Sequence, residues 1–579
     1  MEAQSGLFRR FAETLDTVGR TPSKLGKAAL LAHYFHELGD DDLRTAATYL
    51  TGAAFPAGDP RKLTVGWSAL VDVIQSLTGK DDAWLHDAYL RYGDLGDVGE
   101  EAFAPPRKHP ARPPLTLASV RDAFERIAAA SGKGSRGAKT GALSDLLAAA
   151  TPLEAKYLVR IITTDLRVGL KSGLLEEAIA AAFAPPAEGG KPNRRALLPL
   201  VRQANMLISH IGEVAVMARH GRLAEARLQF HRPFRFMLAE TIFAPEEAFT
   251  PFRGVGPLGE LLVEDKYDGI RAQVHLAGGG LAIYSRTLDD VGGSFPDLHD
   301  DLRAIGHQYI IDGEILAWRG EQALAFSLLQ QRLRRKDPGR LIEQIPVTLM
   351  VFDLLHLDGE ELLDRPLRER RQRLEQLHLA GRVRPSLATI AADPADLGRR
   401  FREARNRGNE GLVVKRLDSP YHPGRRGRLW MKLKEELATL DVVVVSVEWG
   451  HGKRAKVLSD VTFAVRDGDR LATVGKAYSG LTDKEIAEMT GWFLEHTIRD
   501  LGRVKVVRPE IVLEVAFDAV MISDRHDSGF ALRFPRIKRW RTDKTADEIN
   551  TLDDVRQIYD RQIVKPQPDE VAPLGAGGS

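Results

Sequence analysis

LLVEDKYDGIRAQVHL, residues 261–276, is apolar and strand-prone at both ends and polar in its middle. With the Gly278-Gly279-Gly280 turn and LAIYSR (281–286) after it, it predicts a β-hairpin. Lys266 and Asp268, two residues apart in a strand, are expected on one face, and Gly269 is expected to let the backbone approach a ligand closely. Taken alone, KxDGxR also suits a surface strand ending in a turn.

Outward from this stretch, further strands are expected at YIIDGEILAW (309–318), VTLMVFDLLHL (347–357) and EGLVVKRL (410–417). The helical stretch PLRERRQRLEQLHL separates two of them, which makes the middle of the chain a mixed α+β domain. Chemistry-bearing residues recur beside these strands: Ser285-Arg286, Asp312-Gly313-Glu314, Val351-Phe352-Asp353, Glu410-Gly411 with Lys415, Arg426, and Trp430-Met-Lys432-Leu-Lys434. A last series runs from Arg533 to Lys544. Their polar groups are expected to converge at one edge of a sheet.

Upstream, residues 1 to about 215 read as helical, with apolar residues at i, i+3, i+4 and i+7 in LEAKYLVRIITTDLRVGL and LLEEAIAAAF. APPRKHPARPP (104–114) and APPAEGGKPN (184–193) are loops by their Pro and Gly content. SGKGSRGAKTG (131–141) imitates a phosphate-binding loop, but Ala138 intervenes between Gly137 and Lys139 and no strand precedes it. Downstream of Thr439, short strands with one inserted helix, TDKEIAEMTGWFLEHT, suggest a small β-barrel of the oligonucleotide-binding type. The expected divisions are 1–215 helical, 216–436 α+β, 437–560 barrel and 561–579 a disordered tail.

Of the 579 residues, 43% are hydrophobic and 28% charged, a globular composition. There is no Cys, which removes disulfides, thiol nucleophiles and Cys-containing zinc sites and agrees with a cytoplasmic location. Neither a membrane-length apolar run nor a secretory signal is visible. Net charge is only +2, yet residues 1–100 carry 10 Lys and Arg against 15 Asp and Glu, whereas 101–235 carry 21 against 11. With further basic clusters at Arg332, Arg334, Arg335 and Lys336, at 425–434 and at 533–544, this fits a polyanion bound over an extended surface. Solvated Arg-rich helix faces are the alternative.

The ordered series from Lys266 to Lys544 resembles the covalent nucleotidyltransferases, and every segment quoted is similar to the ATP-dependent DNA ligases. The segment 131–183, with Arg167 and Gly169, resembles the helical DNA-binding domain of archaeal, eukaryotic and related bacterial members, so the resemblance covers roughly residues 1–545. It departs at Phe236, where the family usually has Pro before Met.

The resemblance implies three phosphoryl-type transfers: a lysine takes AMP from ATP, a DNA 5′-phosphate takes the AMP, and the neighbouring 3′-hydroxyl displaces it. Lys266 is then the nucleophile. A free Lys is neutral in only about one molecule in a thousand near pH 7.5, a penalty of roughly 4 kcal/mol. Lys432 and Lys434, on one face of a strand, are expected to reduce it and bind the α-phosphate. Glu314 and Glu410 are the expected carboxylates for Mg²⁺, with Mn²⁺ as the alternative. Asp268 positions either the Lys or a metal-bound water.

For ATP the resemblance places the adenine near Glu264 and stacks Phe352 on the base. It sets Arg271 and Arg286 on ribose or phosphate and assigns Glu314, Lys415 and Arg426 to the nucleotide. The series 533–544 orients the pyrophosphate from a moving barrel domain, while His422 and His526 are structural or solvated. Nicked duplex DNA is the implied partner of a monomer on the nucleoid, with no membrane, and a sliding clamp or repair proteins as recruiters. An RNA ligase or capping guanylyltransferase is the reading nearest to this one, and a non-catalytic DNA clamp the one furthest from it.

Overall fold

A computed structural model describes residues 6–104, 113–185, 193–251, 259–435 without 321, 334, 336 and 337, and 438–561 without 451–453, 455 and 456. Most of both expected loops, Arg334, Lys336 and the tail from 562 lie outside the described residues. The chain forms two compact units, one running to Leu433 and a second beginning at Lys434.

Up to Arg219 the described chain is helical, so the last helix, Ile211–Arg219, runs past residue 215. Local chemistry marks the helix starts. Thr151 and Glu154 cap each other's backbone with Pro152 at the first position, and the helix Pro152–Ile162 then buries Leu158, Ile161 and Ile162. The charge asymmetry partly cancels inside this region. Arg160 donates to Asp94 (3.1 Å) and Asp97 (3.2 Å), Lys156 pairs with Asp97 and Glu100, and Arg219 pairs with Asp40. Part of the basic excess therefore holds the acidic first hundred residues, which counting charges along a sequence does not reveal.

The α+β region contains β1 (Leu238–Ile242), β2 (Leu261–Asp265), β3 (Ile270–Ala277), β4 (Gly280–Ser285), β5 (Tyr309–Arg319), β6 (Gln322–Ala323), β7 (Val347–Leu357), β8 (Glu360–Glu361), β9 (Val383–Pro385), β10 (Ala388–Ala391), β11 (Gly411–Arg416) and β12 (Arg426–Lys434). They form two sheets, not one. The first has the order β1-β12-β11-β2-β10; the second has β4-β3-β5-β7-β8, with β6 on β5 and β9 on β7. The stretch 261–276 is consequently not one arm of a hairpin. Its first half belongs to the first sheet and its second half to the other, and the hairpin is β3–β4 alone.

Each sheet buries an apolar outer face. Leu261, Val263, Leu412, Val414, Met431 and Leu433 pack with the helix Pro394–Asn406, while Ala272, Val274, Ile311, Ile315, Leu349 and Val351 form the core of the other sheet. Because side chains alternate along a strand, the polar residues between them share the inner faces.

Arg332, counted in a basic cluster, is fully buried, donating to Asp297, Ser294 O and Ile345 O. It holds the fold and offers nothing to a polyanion.

The second unit is a β-rich domain. Its strands are β13 (Ala438–Trp449), β14 (Leu458–Asp467), β15 (Arg470–Ala477), β16 (Thr497–Leu501), β17 (Val504–Val507), β18 (Val512–Phe517), β19 (Ala519–Ile522), β20 (Phe530–Arg533) and β21 (Arg536–Trp540). Seven of these strands pair in the order β15-β14-β13-β17-β16, with β18 joining β13 to β21, around Val442, Val444, Phe463, Leu513 and Val515, while β19 and β20 pair separately. The helix Asp483–Glu495 is the expected insertion.

Candidate active site

Lys266 lies where the chain crosses between the sheets. β2 ends at Asp265, and Lys266, Tyr267 and Asp268 form a connection rather than a strand, so the expected shared strand face of Lys266 and Asp268 does not exist. The crossing is anchored on β11: Lys266 N–H donates to Gly411 O (2.9 Å) and Glu410 N–H to Lys266 O (3.0 Å). The Lys266 ammonium pairs with the Glu410 carboxylate. Gly269 is required by the neighbouring strand. A Cβ there would stand 2.3 Å from Ile315 O and 2.9 Å from Glu314 Cγ, so only glycine lets the chain turn into β3 beside β5.

Glu314 projects from β5 toward the same place. Burial pushes its carboxyl up to about 8, opposed by Lys266 and Arg271 and reinforced by Asp312 and Glu410. Four of the expected residues, Lys266, Arg271, Glu314 and Glu410, thus form one electrostatic group drawn from both sheets.

Beside it lies an aromatic slot. The Lys415 ammonium sits 4.2 Å from the Phe352 ring centroid and 4.3 Å from that of Trp430, and it pairs with Glu264. Burial pulls the Lys415 amine down, against the pull of Glu264. The Phe352 and Trp430 rings meet edge-on at 6.2 Å. Arg271 closes the end of the slot: its guanidinium is bidentate to Asp312 (3.0 and 2.7 Å), donates to Met237 O (2.7 Å) and lies 4.8 Å from the Phe236 ring. Tyr421 donates to Asp312 as well (2.8 Å).

Lys432 and Lys434 alternate with buried Leu433 on β12, as their spacing predicts, on the face that also carries Trp430. Of the remaining expected residues, Arg286 follows Ser285, the strand partner of Ala272 beside Arg271, whereas Arg426 lies farther along its strand. Arg286 lies on an exposed turn after β4, and Arg426 begins β12, donating to Ala239 O (2.8 Å), about 20 Å along the strand from Lys432. His422 donates its backbone N–H to Met237 Sδ (3.3 Å), while His526 sits in the turn between β19 and β20.

In the second unit the terminal series divides. Arg541 grips Asp441 (2.9 Å to both oxygens) and Lys544 joins it (2.7 Å), whereas Arg536 and Phe534 are exposed.

Sequence reasoning assigned no role to Phe236, Asp312, Tyr421 and Trp430. The signals were weak but present: an aspartate in an apolar strand at Asp312, and a tryptophan alternating with two lysines.

With this geometry in view, comparison with known proteins is specific. Three family descriptions match in chain order: DNA ligase N terminus over residues 7–180, ATP dependent DNA ligase domain over 236–434, and ATP dependent DNA ligase C terminal region over 454–544. A probable DNA ligase of Koribacter versatilis is 46% identical across 95% of this chain and 96% of its own length. A DNA ligase of Methanoculleus marisnigri is 37% identical across 96% and 98%. The solved structure titled Pmar-Lig_PreS3, 17% identical over 92% of this chain and 99% of that one, shares the fold with a TM-score of 0.56.

The chain belongs to the ATP-dependent DNA ligase family. The general activity of that family is the sealing of nicks in DNA.

Proposed function

We propose that Lys266 carries AMP from ATP to the 5′-phosphate of a nick in duplex DNA. The observation that carries this reading is the position of Lys266: at the crossing between two sheets, against Glu410 and Glu314, beside a slot lined by Phe352 and Trp430. The amine attacks the α-phosphorus and pyrophosphate leaves; the DNA 5′-phosphate then takes AMP, and the 3′-hydroxyl displaces it, forming the phosphodiester and releasing AMP.

In this reading the adenine enters the slot against Phe352, with Glu264 at its edge, and Lys415 gives way to it. Arg271 holds the slot's end through Asp312, and Lys432 and Lys434 meet the α-phosphate. Arg286, just past the strand partner of Ala272, and Arg426, farther along β12 than Lys432, serve other parts of the nucleotide. Lys266 must exchange Glu410 for the phosphorus before it can react.

Glu314 and Glu410 suit a divalent metal. Among the described residues no group of three or more His, Cys, Asp or Glu forms a metal cage, and two carboxylates completed by phosphate oxygens and water are a donor set that Mg²⁺ accepts and Mn²⁺ tolerates. Bound there, the metal would neutralise phosphate charge.

The assignment extends to the domains. Residues 1–215 grip DNA by phosphate contacts, 216–436 carry the nucleotide chemistry, and 437–560 complete the grip and orient pyrophosphate, in a monomer acting on the nucleoid in repair, replication or recombination. Among the described residues no helix is long and apolar enough to cross a membrane.

The test is incubation with α-labelled ATP and Mg²⁺, with GTP and NAD in parallel, followed by a chase with nicked DNA. Label on the wild type from ATP alone, absent from Lys266→Ala and, on the chase, passed to the DNA 5′-phosphate and then released as free AMP as the nick is sealed, is expected. A protein that takes no label from ATP overturns the reading.

A further inference from the structure

Glu264 projects from β2 onto the inner face of its sheet, 3% exposed. Its carboxylate is held from behind. Ser386 Oγ donates to Glu264 Oε1 (2.7 Å), and Arg371 Nη1 donates to the same oxygen (3.3 Å) and to Ser386 Oγ (2.8 Å). Arg371 Nη2 donates to Ser386 O (2.6 Å), while Nε is held by Glu375 (2.9 Å). Arg371 and Ser386 are 7% and 2% exposed. The other oxygen, Oε2, faces Lys415 and the aromatic slot.

The position of Ser386 gives this network reach. It stands between β9 of one sheet and β10 of the other, and its N–H donates to Val351 O (2.8 Å), next to Phe352. One buried serine therefore ties the carboxylate on β2 to the strand carrying the ring. Arg371 arrives from the helix Leu367–Gln376, outside both sheets.

We infer that Arg371 and Ser386 are positioning residues for base selection: by occupying Oε1 they aim Oε2 into the slot as a fixed acceptor for an exocyclic amine, so the ligase discriminates a 6-amino purine from one that lacks the amine. This rests on the proposed adenine site. A buried acceptor fixed by two donors cannot turn to suit a 6-oxo group, and a base without the amine leaves it unpaired, which is how hydrogen-bonding sites reject close analogues.

The experiment measures Lys266 labelling by ATP, GTP and purine riboside triphosphate, which lacks the 6-amino group, in the wild type, Ser386→Ala, Arg371→Met and Arg371→Lys. In the wild type, kcat/KM favours ATP over the purine analogue. Ser386→Ala and Arg371→Met are expected to lower that preference about tenfold through the KM for ATP, leaving the purine analogue nearly unchanged, with partial recovery in Arg371→Lys. Transfer of AMP from the preformed adenylate to nicked DNA keeps its rate, since the base is already seated.

Equal losses with both nucleotides, or an unchanged preference, overturn the inference in favour of a structural role. Ser386→Ala removes one hydroxyl and decides the matter should Arg371→Met fail to fold. A wild type that labels from both nucleotides equally well refutes the adenine site beneath the inference, and a wild type that labels from neither refutes the proposed function.

Discussion

Lys415 illustrates how much a single side chain depends on its surroundings. In the sequence it is one of two basic residues ending an apolar strand; in the fold its side chain is 1% exposed, its ammonium caught between two rings and a carboxylate. Replacement by Met keeps the length of the side chain and removes the charge facing Glu264. Lys415→Met is therefore expected to raise the KM for ATP about tenfold or more in a labelling assay, with a smaller change in the rate at saturation. The residue types of the site were legible because a lysine followed by Asp-Gly, separated carboxylates and alternating lysines are chemically distinctive. Arg371 and Ser386 were not, because an arginine in an Arg-rich helix and a serine in a loop carry no local signal of what lies opposite them.

The crossing from β2 to β3 shows where pattern reading failed. Alternation is local and holds on each side of the Lys266–Asp268 connection, but the pattern does not say that the two halves join different sheets. Backbone contact settles it. At Gly411 (φ +150°) a Cβ would stand 2.3 Å from Leu433 O, with the Phe401 ring at 2.9 Å. Gly411→Ala is expected to destabilise the first sheet by about 2–3 kcal/mol, seen as a lower urea midpoint, and to slow labelling because Glu410 and the Lys266 backbone move with it. An unchanged midpoint with normal labelling would contradict this account of the crossing.

Two properties belong to the folded chain as a unit. His275 is fully buried, its Nδ1 accepting from His231 N–H (3.2 Å) and its Nε2 bonded to Gln273 Oε1 (2.9 Å), so the neutral ring satisfies both partners. Burial drives it down to about 3 from an ordinary 6.5, with His231 and His356 adding to the effect. The unfolded chain then binds the extra proton first. The stability is fully present above pH 6.5 and is lost as pH falls toward 3, by on the order of 4 kcal/mol. His275→Gln is expected to flatten the acid side of a pH–stability curve from urea titrations. DNA binding should be salt-sensitive and indifferent to sequence: affinity for a nicked duplex, read by fluorescence anisotropy, is expected to fall by about 10³-fold or more between 50 and 200 mM salt.

Most strand and helix positions, the division into helical, α+β and β-rich parts, and the clustering of lysine and carboxylates could be read from the chain because each rests on neighbours within a few residues: periodicity, turn chemistry and spaced functional groups. Three things required the folded chain. The sheets proved to be two, facing each other; part of the basic surface, Arg160 and Arg332 included, was spent on internal acids; and the slot joined Phe352, Trp430, Lys415 and Glu264 from four different strands. Each depends on partners brought together across long separations, and a one-dimensional pattern holds no record of distance in space.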